Sequence, residues 1–204
     1  PIELIYILNG TGYFSFLIGD FQRALKLFRQ SLELLIVRLD YQEICLTLFN
    51  VAITQVFTQE FEAAIANLDL LITLMKILHM PSFPFHTAEE VLSLRGIALF
   101  KLNRSQRGLG TLEKGVHGLS FLLRALLKSN NDKSSCDTVR NDFETALNSV
   151  IRPEDTLFRI FIAAEASRMA KNYHQDQDEA RYRSLTLSMA ESANLVPVAT
   201  SCLG

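Results

Sequence analysis

The chain has 204 residues, 49% of them hydrophobic and 21% charged, enough apolar side chain to bury a sizeable core and too much for a disordered tail. Twenty basic residues against 22 acidic ones leave a formal charge of −2 with no basic cluster, so phosphate-backbone binding has no electrostatic footprint here. Nine glycines and five prolines are few breakers for this length, which favours helices over a many-turned sandwich; the longest apolar stretches, such as 34–37 and 68–72 (itself broken by Asp69), fall far short of the roughly 20 residues that cross a bilayer.

In chain order, the opening apolar stretch reaches Asn9, Gly12, Tyr13 and Phe16, stops at Gly19-Asp20-Phe21, and resumes with Ala24, Leu25, Phe28 and Leu32 at helical spacing. The pattern predicts helix, turn, helix: glycine tolerates the left-handed end of one helix and Asp20 caps the start of the next. A second copy follows 40 residues later. Phe49-Asn50-Val51-Ala52-Ile53 leads through Gln59-Glu60-Phe61 to Ala64, Leu68 and Leu71, so Gly12 corresponds to Ala52, Phe21 to Phe61 and Ala24 to Ala64. A third copy starts near Leu92, with Gly96 in the place of Gly12 and Ala52, a turn at Asn103-Arg104-Ser105, and Gly108 where Ala24 and Ala64 stood. Small residues at these positions allow paired helices to approach closely.

These residues resemble the tetratricopeptide (TPR) superfamily, whose small residue in the first helix, Gly-Asp-aromatic turn, and Ala and Phe in the second helix match Gly12, Gly19-Asp20-Phe21, Ala24 and Phe28. The resemblance covers residues 2–128, and repeats of about 40 residues look like those of kinesin light chain, spindle-orientation adaptors and bacterial peptide-sensing regulators. It implies an all-α, right-handed α-solenoid of helix-turn-helix repeats. Three hairpins are expected over 1–128, a mobile polar loop over 129–138, and C-terminal helices over 139–204. Those last helices read as 138–150, 154–172 (with Pro153 suited to a first turn) and 178–194. They form a divergent fourth repeat or a cap over the end of the stack, and a cap is favoured.

In this superfamily the first helix of each hairpin lines the concave side. The resemblance therefore places Tyr6, Asn9, Tyr13 and Phe16, then Leu46, Phe49, Ile53 and Val56, then Glu90, Ser93, Ile97 and Phe100 along a mainly apolar groove, with Asn50 as the polar contact to the backbone of an extended ligand. Several of these, Phe16 and Val56 especially, can equally pack between helices or against the C-terminal cap. Basic residues would stand near Asn9, Tyr13, Glu90 and Leu94 in a carboxylate-clamp member; here none of these is basic, which disfavours recognition of a chaperone's C-terminal tail.

Catalytic and metal chemistry find little support in the residue pattern. The histidines, His79, His86, His117 and His174, include no i, i+4 pair, and His86 with Glu90, His117 with Glu113 and His174 with Asp178 each supply only two ligands. The glycine-containing run 108–115 lacks the preceding strand and the Gly-Lys-Ser/Thr ending of a phosphate loop. Cys45, Cys136 and Cys202 are odd in number and scattered, which fits a reducing intracellular compartment, cytoplasmic or nuclear, rather than a disulfide framework. The start at Pro1, with no basic flank before an apolar segment, does not read as a secretory signal and suggests a piece of a longer protein. The expectation is a non-enzymatic scaffold without cofactor. It would bind a protein or peptide partner inside a larger assembly, with a peptide-sensing regulatory domain as the alternative and an enzyme fragment third.

Overall fold

The computed structural model describes residues 2–102, 118–129, 135–149 and 156–203. It is all-helical apart from one short hairpin, and the described residues fall into two compact units, one within residues 1–109 and one within 110–204. The first holds α1 (Ile2–Leu17), α2 (Phe21–Arg38), α3 (Tyr41–Phe57), α4 (Phe61–Ile77), β1 (Ser82–Phe83), β2 (His86–Thr87) and α5 (Ala88–Lys101). The second holds α6 (Gly118–Ser129), α7 (Cys136–Ser149), α8 (Thr156–Asn172), α9 (Asp176–Ser192) and α10 (Val196–Leu203). Within each unit successive helices pack on one another, an arrangement compatible with an α-solenoid, and in the first unit α1 also touches α3 and α3 touches α5.

The repeat is written in how the helices end. Gly19, Gln59, His79, His174 and Asn194 all sit in the left-handed region, with φ of 82°, 63°, 52°, 55° and 57°. In each case the next amide bonds the carbonyl five residues back: Asp20 to Ser15, Glu60 to Gln55, Met80 to Met75, Gln175 to Ala170, Leu195 to Ala190. This Schellman closure satisfies carbonyls that the helix end would leave orphaned. Leu39, at φ 58°, ends α2 by the simpler bond to Leu35. Helices then begin at Phe21, Tyr41 and Phe61 in one unit and at Thr156, Asp176 and Val196 in the other, the same 20-residue step in both. An acidic residue precedes each of the first three. Asp20 accepts from the Arg23 amide and Asp40 from the Glu43 amide, while Glu60 makes no side-chain cap bond.

Side chains meet across each hairpin. Gly12 faces Phe28 one turn beyond Ala24, Asn67 Nδ2 donates to Gln55 Oε1 at 2.8 Å across α3 and α4, and the Ser167 hydroxyl meets the Glu179 carbonyl at 3.4 Å across α8 and α9. The hairpin α8–α9 has the helix lengths and the turn of α3–α4. A Cβ added at Gly12 would lie 2.8 and 2.9 Å from Phe28 Cε1 and Cδ1, and Phe28 is fully buried. Gly12→Ala gains up to about 1 kcal/mol of helix propensity but forces a packed ring to move, which costs about 1–3 kcal/mol. The expected net result is a lower urea midpoint with an unchanged m-value; a raised midpoint would show that Phe28 can withdraw.

The structure adds detail between the helices. Between α4 and α5 the chain forms the β1–β2 hairpin, with Ser82 paired to Thr87 and Phe83 to His86. Helix α6 packs on α7 inside the second unit; the expected third hairpin runs through residues 103–117, which lie outside the described residues. Part of the polar stretch 129–138 is helical: Ser129 ends α6 and α7 starts at Cys136, where the Ser135 hydroxyl accepts from the Thr138 amide. The turn at Asn103-Arg104-Ser105, Gly108, the run 108–115, Glu113, His117 and Pro153 lie outside the described residues. Helix α10 was not foreseen; it occupies the register of the first helix of a following hairpin and packs on both α8 and α9.

Candidate functional site

The side of the first unit that carries α1, α3 and α5 is the site the sequence singles out. On α1, Tyr6 and Tyr13 are two turns apart and therefore on one face, 51% and 38% exposed. On α3, Leu46 and Asn50 share a face and are partly exposed. Phe100, in the last turn of α5, is also partly exposed. These five positions form the accessible part of the expected groove.

The other five are interior. Asn9 is 8% exposed, and its Nδ2 donates to Thr47 Oγ1 at 2.7 Å while the Thr47 hydroxyl donates to the Glu43 carbonyl. Asn9 is therefore a strut between α1 and α3. The Glu43 carboxyl beside it is raised above its ordinary value by burial and by Asp40, and lowered in part by its bond to Asn9. Phe49, Ile53, Ser93 and Ile97 are all buried. Phe16 and Val56 are buried as well, Phe16 within a ring cluster whose centroids lie 5.7 Å from Phe21 and 5.3 Å from Phe57. That cluster ties the first hairpin to the second.

Phe49 is covered by the chain itself. The β1–β2 hairpin lies on α3 and α5, placing Phe83 5.9 Å and His86 4.1 Å from the Phe49 ring, centroid to centroid. Glu90, read from the sequence as a groove residue, secures this cover from below. Its Oε2 accepts from the Thr87 amide at 2.7 Å, the Thr87 side chain caps α5 in return, and Oε1 lies 3.6 Å from His86 Nδ1. The two-residue turn at Pro84-Phe85 puts Phe85 at φ 69° with 77% of it exposed, a left-handed conformation that costs a bulky residue of the order of 1–2 kcal/mol. Sequence reasoning missed Phe83 and His86 as partners of Phe49. The available signal was the seven-residue delay in the 20-residue helix step before α5, which marks an insertion.

His79 and His174 occupy left-handed helix ends; Asp178, considered with His174, instead accepts from Arg140 at 3.2 Å. No cluster of three or more metal-ligating side chains occurs among the described residues. The cysteines are free thiols; burial pushes the Cys45 thiol up to about 11, so it is protonated at neutral pH and is no nucleophile. A shallow open depression lined by Arg38, Asp40, Tyr41, Leu78 and Met80 lies where the α2–α3 turn meets the end of α4. No helix among the described residues is long and apolar enough to cross a membrane. No family model, no curated protein and no solved structure matches the chain.

Proposed function

We propose that this chain is a non-enzymatic interaction scaffold of the TPR kind, a right-handed α-solenoid that binds a segment of a protein partner along the side carrying α1, α3 and α5. The observation that carries this reading is the row of accessible, mainly apolar side chains on successive first helices: Tyr6 and Tyr13, then Leu46 and Asn50, then Phe100. Aromatic and aliphatic anchors of this type supply most of the energy of such interfaces, and an amide such as Asn50 can satisfy a partner's backbone. The 20-residue step shared by both units supports a repeat, and the helix lengths and turn of α8–α9 support a divergent fourth hairpin, with α10 in a capping position. Free thiols support a reducing, intracellular setting, and the exposed apolar side chains support a place in a larger assembly.

Affinity capture from a native lysate, read by mass spectrometry, tests the face. Leu46→Glu and Asn50→Ala change partly exposed positions, so helical content and melting should stay intact while the partner is lost. A central anchor is worth 2 kcal/mol or more, about thirtyfold in affinity. Identical partners for both variants and the unaltered chain would move the site off this face. A second reading, a peptide-sensing regulatory domain, is favoured by the hairpin over Phe49: a short extended ligand can take its place. In that case a captured peptide should accelerate amide exchange at residues 82–87, and unchanged exchange counts against it.

A further inference from the structure

Helix α10 packs unlike the helices that follow a hairpin in the first unit. There α3 packs chiefly on α2 and α5 chiefly on α4, and each only touches the first helix of the hairpin before it. Helix α10 packs on α8 at least as extensively as on α9, although it has eight residues against the 17 of each partner. It therefore leans across α8 rather than standing in line behind α9. Few side chains hold it: Leu195, Val198 and Ala199 are buried at i, i+3 and i+4, while Val196 is 42% exposed. One polar tie completes the attachment. Arg168 on α8 binds the Glu165 carboxylate one turn before it, and its Nη2 donates to the Cys202 carbonyl at 2.5 Å. A cation thus meets the negative end of α10 at one of its terminal carbonyls.

We propose that α10 is a displaceable latch, and that the face of α8 beneath it is a binding site for the C-terminal end of a short apolar helix of a partner protein. Glu165 marks the site. It is the tenth residue of α8, as Asn50 is of α3; Asn50 is partly exposed, whereas Glu165 is 3% exposed. A carboxylate this deep is costly to bury, but it fixes the half-exposed Arg168 guanidinium so that Nη2 meets a helix end. Helix α10 itself shows what this face takes: aliphatic side chains at i, i+3 and i+4 and a terminal carbonyl, recognised as a helix laid in a groove. It is also built to let go. Eight residues are far below the roughly 12–15 that hold a helix together alone, so α10 depends on α8 and α9 for its fold. A partner helix has only to outcompete the local concentration of a tethered segment. The site lies wholly in the second unit and does not rest on the side carrying α1, α3 and α5.

The test uses the whole 204-residue chain and, as probe, a labelled, amidated peptide of residues 195–203 carrying Cys202→Ser. In the unaltered chain, amide exchange over 196–203 should be faster than in α8 and α9, the mark of a segment that opens alone. Val198→Asp puts a carboxylate where α10 is buried and ejects it; helical content should fall by no more than the share of α10. The peptide should then bind about tenfold more tightly than to the unaltered chain, whose own α10 fills the site. Adding Glu165→Gln and Arg168→Gln, which together leave no buried charge unpaired, should weaken that binding about tenfold, as loss of one charge-assisted hydrogen bond does. With Val198 intact, the same pair of changes should speed exchange over 196–203 about tenfold and leave α9 unchanged; this arm stands even if Val198→Asp does not fold. The proposal is overturned if 196–203 exchange as slowly as α8 and α9, if the peptide binds the unaltered chain and Val198→Asp equally, or if the changes at 165 and 168 alter neither binding nor exchange. Leu46→Glu and Asn50→Ala, in the first unit, should leave peptide binding unchanged, so failure of this site and failure of the face on α1, α3 and α5 are read separately.

Discussion

Replacing Phe49 by glutamate is expected to unfold the first unit rather than to remove a partner from an intact surface. The ring is 1% exposed and stands against Phe83 and His86. Truncating such a phenylalanine to alanine costs about 3–5 kcal/mol, and a carboxylate in the same place adds the cost of burying an unpaired charge or of protonating it. Set against a total stability of about 5–15 kcal/mol for a domain, that is enough to lose much of the cooperative transition. Circular dichroism during urea titration measures it: Phe49→Glu should lose helix at low urea, and Phe49→Leu, which keeps most of the apolar volume, should retain a clear midpoint. An unchanged midpoint for Phe49→Glu would mean that the hairpin swings aside and lets the side chain reach water. Phe83→Ala belongs to the same test. A hairpin of two residue pairs has no stability of its own, so loss of Phe83 should speed amide exchange over 82–87 while the helices persist.

In the second unit the largest effect is expected at Tyr182. Its ring is fully buried, its hydroxyl donates to Glu144 Oε1 at 2.6 Å, and Arg181 holds the same carboxylate oxygen at 3.0 Å. The residue joins α9 to α7 through a bond to a charged acceptor, a type worth about 1.5–3 kcal/mol net when well shielded. Glu144 is 30% exposed and keeps Arg181, so Tyr182→Phe should cost about 1 kcal/mol. Tyr182→Ala removes the ring as well and should cost about 3–5 kcal/mol. Burial, and then the bond to Glu144, raise the phenol well above its ordinary value. For an acid whose value is higher folded than unfolded, the stabilisation is complete below the unfolded value, about 10 for tyrosine, and declines as pH rises past it. Urea titrations from neutral pH into the alkaline range should therefore show a decline above that point that is shallower in Tyr182→Phe. Equal slopes would mean that the hydroxyl is not protected in the folded state.

The local grammar of the fold was legible in the residues. Gly19-Asp20-Phe21 and Gln59-Glu60-Phe61 announced two of the helix junctions, and Asp40-Tyr41 repeats the same acid–aromatic pair at the same step, a signal the spacing of the small residues had hidden. Gly12 was read as a close-packing position, and a side chain there would meet Phe28 on the helix directly opposite. The ends of α8 and α9 were placed within two residues, since polar breakers and capping residues act over one turn. In the expected groove, Tyr6, Tyr13, Leu46, Asn50 and Phe100 are accessible, whereas Asn9, Phe49, Ile53, Ser93 and Ile97 are interior.

That division marks where sequence reasoning stops. Periodicity states which residues of a helix share a face, and turn chemistry states where the helix ends; both are set by contacts within a few residues. The amino-acid sequence thus suffices for helical class, for the 20-residue step and for the close pairing of α1 with α2 and α3 with α4. Whether a shared face meets solvent depends on what returns to cover it from a distance in the chain. Phe49 is shielded by Phe83 and His86, more than 30 residues later, and Asn9 is spent on Thr47, 38 residues away. Helix α6 pairs with α7 through the buried Asp142, which binds Arg124 at 3.1 Å and Lys128 at 2.6 Å, partners 14 or more residues away in the chain. Burial is a property of the neighbours, and the folded chain chooses them by nonlocal packing that no single helix's pattern encodes.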